Sequence, residues 1–308
     1  MIEIKDLTKS YGNLVAVSHL DLHIEAGDIF GFIGPNGAGK TTTMRILVTL
    51  LEPTSGTTLI DGLDVTKKGK EVRRRVGYMP DFMGVYDDLK VFEYLEFFAA
   101  AFGIEHRKRK EIVDGVLELT DLVSKAKAPV DSLSRGMQQR LGLARVLIHD
   151  PKVLILDEPA SGLDPRARIE IRELLRELKR MGKTIMISSH ILSELEEICD
   201  RVGIIEHGQL VFGGTMDEIR PRLGIQSKVR VKVLGDDDRA IELLTALPQI
   251  EQVDAMDGYL AVTFREGETT DGIIARTLVN GGVDLVYLQP EQLKLDDAFL
   301  KLTKGIVH

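Results

Sequence analysis

A glycine-rich loop lies between an apolar strand and a helix near the start of the chain. Asp28–Ile33 is an almost continuous apolar run, Gly34–Thr42 reads Gly-Pro-Asn-Gly-Ala-Gly-Lys-Thr-Thr, and Thr41–Leu51 has a helical pattern. Glycines let a backbone turn its amides toward an anion without a Cβ clash. The helix that follows presents free amides and the positive end of its dipole. This strand, loop and helix predict a fold that closes around a triphosphate.

The residues of this loop have expected positions around that triphosphate. Lys40 can reach the β- and γ-phosphates, and Thr41 can place its hydroxyl on Mg²⁺. The full set of loop residues expected to bind the nucleotide is Gly34, Pro35, Asn36, Gly37, Ala38, Gly39, Lys40, Thr41 and Thr42.

Two carboxylates follow a second apolar strand, Val153–Leu156. Phosphoryl transfer needs a metal ion to spread negative charge and a group to orient the attacking water. We therefore expect Asp157 to hold Mg²⁺ through a bound water and Glu158 to act as general base. An Asp-Glu pair is common at strand ends, so the prediction depends on the phosphate loop found in the same chain.

The segments of the first two-thirds of the chain alternate between strand and helix patterns. Ile2–Leu7 and Leu20–Ile24 alternate apolar and polar residues, which indicates antiparallel strands, whereas Val153–Leu156 and Thr184–Ile187 are wholly apolar, as in a buried parallel sheet. Pro165–Met181 has helical periodicity. The pattern predicts an α/β sheet with an added antiparallel β layer.

Two further regions interrupt or follow this sheet. Between about residues 82 and 150 the strand signals vanish and three segments have helical patterns, which predicts an inserted α-helical subdomain. A boundary near Gly224 ends the first domain, residues 1–223. Residues 225–308 alternate strand and helix patterns and predict a small α+β domain. Regulation, dimer contact and docking all remain open as roles for that second domain.

Composition restricts the partners of the chain. The formal net charge of −8 disfavours a nucleic-acid partner, because such proteins need a basic face to release phosphate counterions. Cys199 is the sole cysteine, which excludes an internal disulfide and fits a reducing compartment. Since the sequence has neither an apolar leader nor an apolar run of about eighteen residues, we expect any membrane role to come through a partner.

The segment Leu133–Arg140, Leu-Ser-Arg-Gly-Met-Gln-Gln-Arg, resembles the signature motif of the ATP-binding-cassette (ABC) ATPases, usually Leu-Ser-Gly-Gly-Gln. It precedes the Asp-Glu strand, as it does in that family. The resemblance implies that Ser134 and Gly136 hold the γ-phosphate of a nucleotide bound to the opposite subunit. Arg135 and Met137 depart from the commonest form, as in variants familiar from the exporter branch.

The same resemblance implies roles for three further residues. Tyr11, in Lys-Ser-Tyr-Gly, resembles the aromatic residue that stacks on adenine. Asp164 ends Ser-Gly-Leu-Asp, which resembles the loop that carries signals across the dimer. His190 follows an apolar strand and resembles the switch histidine, whose ring contacts the γ-phosphate.

Asp81 is the clearest departure from the family. It ends Gly-Tyr-Met-Pro-Asp, where the family usually has glutamine in contact with Mg²⁺ and facing the transmembrane partner. A carboxylate binds a cation more strongly than an amide does, although the added charge could equally slow hydrolysis. We expect Asp81 to keep the metal role.

Taken together, the resemblance covers residues 1–223 and implies a P-loop NTPase core of the RecA-like kind that binds and hydrolyses ATP with Mg²⁺. It implies a homodimer with ATP sandwiched between two copies, bound at the inner face of the cell membrane through a separate integral membrane permease. Leu295–Thr303 resembles the closing helix of exporter ATPases, and residues 81–102, rich in aromatics such as Phe82 and Tyr86, are the expected docking surface.

Two other classes of function remain open at this point. A soluble cassette ATPase could act on ribosomes or DNA, but such proteins carry two cassettes or long coiled coils, and neither is visible here. A regulatory subunit could bind ATP without hydrolysing it, but Glu158 and His190 favour turnover.

Overall fold

The computed structural model describes residues 1–81, 84, 88–222, 228–265 and 272–290, with backbone alone for 220–222. These residues divide into two compact units, 1–216 and 217–308. The expected closing helix at Leu295–Thr303 and the docking candidates Phe82 and Tyr86 lie outside the described residues.

The described part of the first unit has ten strands. They are β1 (Ile2–Tyr11), β2 (Leu14–Ile24), β3 (Ile29–Ile33), β4 (Ser55–Ile60), β5 (Leu63–Asp64), β6 (Val76–Met79), β7 (Val153–Leu156), β8 (Thr184–Ser189), β9 (Arg201–Glu206) and β10 (Gln209–Thr215). One antiparallel sheet has the order β2-β1-β4-β5, and the other sheet has the order β10-β9-β3-β8-β7-β6.

The second of these sheets is parallel from β9 to β6, and only β10 runs antiparallel to its neighbour. Its central strands β3, β7 and β8 are buried along their whole length, because helices and the antiparallel sheet cover both faces. Parallel strands place their carboxyl ends at one edge of a sheet. The residues that follow β3, β6, β7 and β8 are therefore neighbours, and the α/β prediction with an antiparallel layer is confirmed.

The helices of the chain up to residue 222 are α1 (Lys40–Leu47), α2 (Gly69–Arg73), α3 (Val91–Ala101), α4 (His106–Leu119), α5 (Arg135–Leu147), α6 (Pro165–Arg180), α7 (Leu192–Leu195) and α8 (Met216–Arg222). Between β6 and β7, the described residues contain helices and turns but no strand. The helix predicted to run to Leu51 ends at Leu47, because Thr49 adopts a left-handed conformation with φ of 65°.

The core of the first unit lies between its two sheets. Phe30 and Phe32 of β3 pack in one cluster with Ile2 and Ile4 of β1 and with Met44 of α1, each at most 2% exposed. Burying a side chain of this size contributes about 1.5–3 kcal/mol relative to exposure. This packing fixes the strand and the helix on either side of the glycine-rich loop.

After α8, the described residues of the second unit have the order β-α-β-β-α-β, which is that of a split βαβ fold. Its elements are β11 (Lys228–Val233), α9 (Asp237–Thr245), β12 (Ile250–Met256), β13 (Tyr259–Phe264), α10 (Ile273–Asn280) and β14 (Leu285–Pro290). The antiparallel sheet has the order β12-β13-β11-β14. Val231, Val262 and Phe264 of the sheet share a buried core with Leu244 of α9 and Leu278 of α10.

Candidate functional site

The glycine-rich loop joins β3 to α1 in a conformation that depends on its glycines. Gly37 and Gly39 have positive φ values of 81° and 106°. A Cβ atom at Gly39 would lie 2.5 Å from the carbonyl oxygen of Ala16, and one at Gly34 would lie 2.3 Å from that of Ile205. Since neither backbone contact leaves room for a side chain, the loop is held tightly against its neighbours.

Lys40 is the first residue of α1, and its side chain folds back over the loop. Its Nζ donates to the carbonyl oxygens of Gly34 at 2.5 Å and Pro35 at 3.3 Å, and lies 3.8 Å from Glu158 Oε1. Burial lowers the pKa of Lys40, and the nearby charges of Glu158 and Asp157 oppose that shift. The loop therefore encloses a nearly buried ammonium group that can bind an anion.

Asp157 follows β7 and is held by hydroxyl groups from two other elements. Thr41 Oγ1 of α1 donates to its Oδ2 at 2.8 Å, and Ser188 Oγ of β8 donates to its Oδ1 at 2.6 Å. The side chain is fixed because Asp157 is only 2% exposed. Its carboxylate and the Thr41 hydroxyl present adjacent oxygen atoms at the end of the loop.

Glu158 is strained and partly buried. Its backbone has a φ of 52°, unusual for a residue other than glycine, and its amide donates to Ser188 Oγ at 2.9 Å. Its Oε2 lies 3.0 Å from His190 Nδ1. Burial raises the pKa of Glu158, while His190 and Lys40 act to lower it. This carboxyl group is oriented on both sides, as a general base must be.

One pocket brings most of the predicted site residues together. The residues that line it are Ala16, Pro35, Asn36, Gly37, Ala38, Gly39, Lys40, Thr41, Thr42, Asp81, Asp157 and Glu158. Asp81, which follows β6, therefore faces the same space as Asp157 and Thr41. The described residues contain no cluster of three metal-binding side chains, but Mg²⁺ usually takes only one or two protein carboxylates together with phosphate oxygens. This set of oxygen donors fits such an ion.

Six predicted residues do not line this pocket. Two of them belong to its surroundings, since Gly34 begins the glycine-rich loop and His190 contacts Glu158. The other four are Tyr11, Ser134, Gly136 and Asp164. Tyr11 is 48% exposed at the end of β1, with Lys9 Nζ 5.1 Å from its ring centroid. Ser134 is the exposed N-cap of α5. Gly136 lies in the first turn of that helix, and Asp164 caps α6 by accepting from the Ala167 amide at 2.9 Å. In the single chain these four residues are therefore not part of the pocket lining.

Two residues of the site were not predicted from the sequence. Ser188 connects Asp157 to Glu158 through one hydroxyl group, since it donates to the first and accepts from the amide of the second. Ala16 lines the pocket from β2. The position of Ser188 directly after the apolar run of β8 was a usable signal, but the adjacency of β7 and β8 was needed to interpret it.

The chain matches known proteins at the level of sequence. Residues 17–161 match the family described as ABC transporter. The bacitracin transport ATP-binding protein BcrA of Bacillus licheniformis is 40% identical over 307 residues, covering 99% of this chain and 98% of that protein. The Nod factor export ATP-binding protein I of Cupriavidus metallidurans is 37% identical over 306 residues, covering 98% and 97%.

Solved structures give the same result. The ATP-binding subunit of an ABC transporter superposes with a TM-score of 0.66 at 30% identity, covering 73% of this chain and 94% of that one. A dimeric ATP-binding cassette in a post-hydrolysis state, bound to ADP and phosphate, gives a TM-score of 0.64 at 25% identity, covering 70% and 99%. The chain belongs to the ABC transporter family as an ATP-binding subunit, and it is an ATPase.

Proposed function

We propose that this ATPase drives export through a separate integral membrane permease at the cytoplasmic face of the membrane. The observation that carries the proposal is a single pocket in which Lys40, Asp157 and Glu158 converge at the glycine-rich loop. Support for export comes from the relatives, whose names concern bacitracin transport and Nod factor export. Within the described residues, no helix combines the length and apolarity needed to cross a bilayer.

Hydrolysis follows from the groups lining the pocket. The loop amides and Lys40 bind the β- and γ-phosphates of ATP, where the buried ammonium group faces little competition from water. Thr41, Asp157 and Asp81 would hold Mg²⁺, which neutralises phosphate charge when bound. Glu158 takes a proton from the attacking water.

His190 keeps Glu158 oriented through its 3.0 Å contact, and its ring contacts the γ-phosphate when ATP is bound.

Ser134, Gly136 and Asp164, which lie outside the pocket, act in a homodimer. Two copies stack head to tail with two-fold symmetry, so that Ser134 and Gly136 of one copy reach the γ-phosphate held by the other. Tyr11 stacks on adenine, and Asp164 lies at the dimer contact. ATP then binds the closed dimer more tightly than the open one, and loss of the γ-phosphate lets the dimer reopen.

Asp81→Gln is expected to retain turnover, with the rate at saturating Mg²⁺ within about threefold of wild type, because an amide oxygen still binds the ion. The Mg²⁺ concentration for half-maximal rate should rise, since the carboxylate charge is lost. A Mg²⁺ titration of ATPase activity measures both. Asp238→Asn, on α9 of the second unit, is the control. Wild-type activity that needs no Mg²⁺ would disprove the metal role.

We expect the permease to dock in an apolar groove beside the helical region between β6 and β7. It is lined by Val48, Leu50, Arg73, Val76, Tyr78, Phe98, Phe102, Arg145, Val146 and His149. Leu50 is 63% exposed and Phe102 is 45% exposed, although Phe102 stacks on His149 with ring centroids 3.9 Å apart. Such exposed apolar groups are typical of a surface that another protein covers.

Purification of the tagged chain from a detergent extract tests this assignment. We expect a polytopic membrane protein to co-purify, and Leu50→Lys to reduce its recovery by about tenfold, as loss of a buried apolar anchor does. Val123→Lys is the matched control, since Val123 is also exposed, at 56%, but lies outside the groove. Recovery of ribosomes or DNA in place of a membrane protein would instead support a soluble cassette ATPase.

A further inference from the structure

The guanidinium group of Arg135 lies directly on Gly162. A Cβ atom at Gly162 would be 2.5 Å from Arg135 Cζ and 2.6 Å from each of its terminal nitrogens. The side chain therefore occupies the space that any other residue at this position would fill. Arg135 is also the residue at which the signature segment departs from the usual glycine.

A second contact joins the same two segments. A Cβ atom at Gly136 would lie 2.9 Å from the Cβ of Ala167 in the first turn of α6. Of two successive residues at the start of α5, Arg135 thus lies against the stretch between Glu158 and α6, and Gly136 lies against the first turn of α6. Gly162 has a φ of 65°, so its left-handed conformation also favours glycine there.

That stretch is connected to the backbone of Glu158 by a hydrogen bond. The amide of Ser161 donates to the carbonyl oxygen of Glu158 at 3.1 Å. The far end is fixed by Asp164, which caps α6, and by Arg168 Nε, which donates to the Leu163 carbonyl oxygen at 3.0 Å. A displacement of Gly162 would therefore move the backbone of Glu158.

We propose that Arg135 is a positioning residue that couples the signature segment to Glu158 of the same chain. When the signature segment closes on the nucleotide held by the other copy, Arg135 moves Gly162 with it and so aligns Glu158 at the chain's own nucleotide. This rests on the ATP-bound homodimer proposed above. The contact is one of shape, because the guanidinium group meets the Gly162 backbone and no ion pair among the described residues includes Arg135.

Arg135→Ala, Gly162→Ala and the double variant test the coupling. A methyl group at Gly162 displaces the guanidinium group, which is the exposed end of a flexible side chain, and it also strains the left-handed backbone there. We expect each single variant to lower the maximal ATPase rate about fivefold to tenfold, and the double variant to be no slower than Gly162→Ala alone. Arg135→Ala should keep the ATP concentration for half-maximal rate and the melting temperature close to wild type, whereas Gly162→Ala should melt somewhat earlier.

Two further variants distinguish coupling through the shape of Arg135 from an effect of its charge. Arg135→Lys keeps the charge but loses the planar group, so it should be as slow as Arg135→Ala. A wild-type rate for the lysine variant would overturn the proposal in favour of a charge effect on phosphate. Arg107→Ala is the control, since Arg107 is an exposed arginine on α4 paired only with Glu105 among the described residues.

Losses that multiply in the double variant, or a wild-type rate for Arg135→Ala, would also overturn the coupling. The dimer itself is checked by adding ATP to Glu158→Gln with and without Arg135→Ala. Both proteins should dimerise if Arg135 acts only through Gly162. If neither dimerises, the proposed homodimer fails; if Glu158→Gln dimerises alone, Arg135 is needed for closure and the coupling proposal fails.

Discussion

Glu158→Gln is expected to bind ATP as wild type does and to hydrolyse it about 100-fold to 10,000-fold more slowly. The amide keeps the shape of the side chain but cannot accept the proton of the attacking water. The Lys40 ammonium group and the loop that bind the phosphates remain in place, because Lys40 Nζ is held mainly by the carbonyl oxygens of Gly34 and Pro35. Phosphate release from ATP under single-turnover conditions measures the loss.

The same variant should accumulate as an ATP-bound dimer, since the γ-phosphate that holds the two copies together is no longer removed. Size-exclusion chromatography with and without MgATP detects this species. Glu177→Gln is the matched control, because Glu177 lies on the exposed face of α6 and pairs with Arg180. Near-normal turnover of Glu158→Gln would remove Glu158 from the role of general base.

A central strand of the parallel sheet could be predicted from the sequence. Val153–Leu156 is a strand with the predicted bounds, because a short, continuous apolar run is typical of a buried strand. The structure also contains strands that were not predicted from the sequence, among them β4 and β6. Ser55–Ile60 has three exposed residues in succession, and Val76–Met79 is a short run that contains glycine, so neither shows a periodic pattern.

Part of the nucleotide site could also be predicted from the sequence, because its residues follow apolar strands. Lys40, Asp157 and Glu158 lie at the carboxyl ends of parallel strands or just beyond them, and such ends share one edge of a sheet. The Ser188 hydroxyl group between the two carboxylate residues could not be predicted, because it depends on β8 lying beside β7. Strand order is set by tertiary packing, which local patterns do not encode.

Ser134 and Asp164 have a structural role in the single chain in addition to the role proposed for them in the dimer. In the single chain each acts as a helix cap, Ser134 for α5 and Asp164 for α6, and neither lines the pocket. An N-cap leaves the side chain at the positive end of the helix dipole, where a phosphate is also stabilised. The capping function is therefore compatible with a second role in the dimer.

Lys40→Ala is expected to weaken ATP binding by about tenfold to 150-fold, the loss of a hydrogen bond to a charged group, or about 1.5–3 kcal/mol. The substitution has a second effect inside the pocket. The Lys40 ammonium group lies 3.8 Å from Glu158 Oε1 and offsets its negative charge. Without the ammonium group the carboxylates of Glu158 and Asp157 lose a compensating charge and repel the incoming phosphates more strongly. Both effects weaken the binding of ATP.

Calorimetric titration with MgATP measures the affinity, and the rise in melting temperature with added ATP gives an independent estimate, because stabilisation by a ligand follows from its dissociation constant. Lys183→Ala is the matched control. Lys183 is also a buried lysine and pairs with Asp150, but it precedes β8, at the opposite edge of the sheet from the pocket. That variant should melt earlier than wild type and bind ATP normally. Unchanged affinity in Lys40→Ala would refute the phosphate-loop assignment, because no other described lysine lines the pocket.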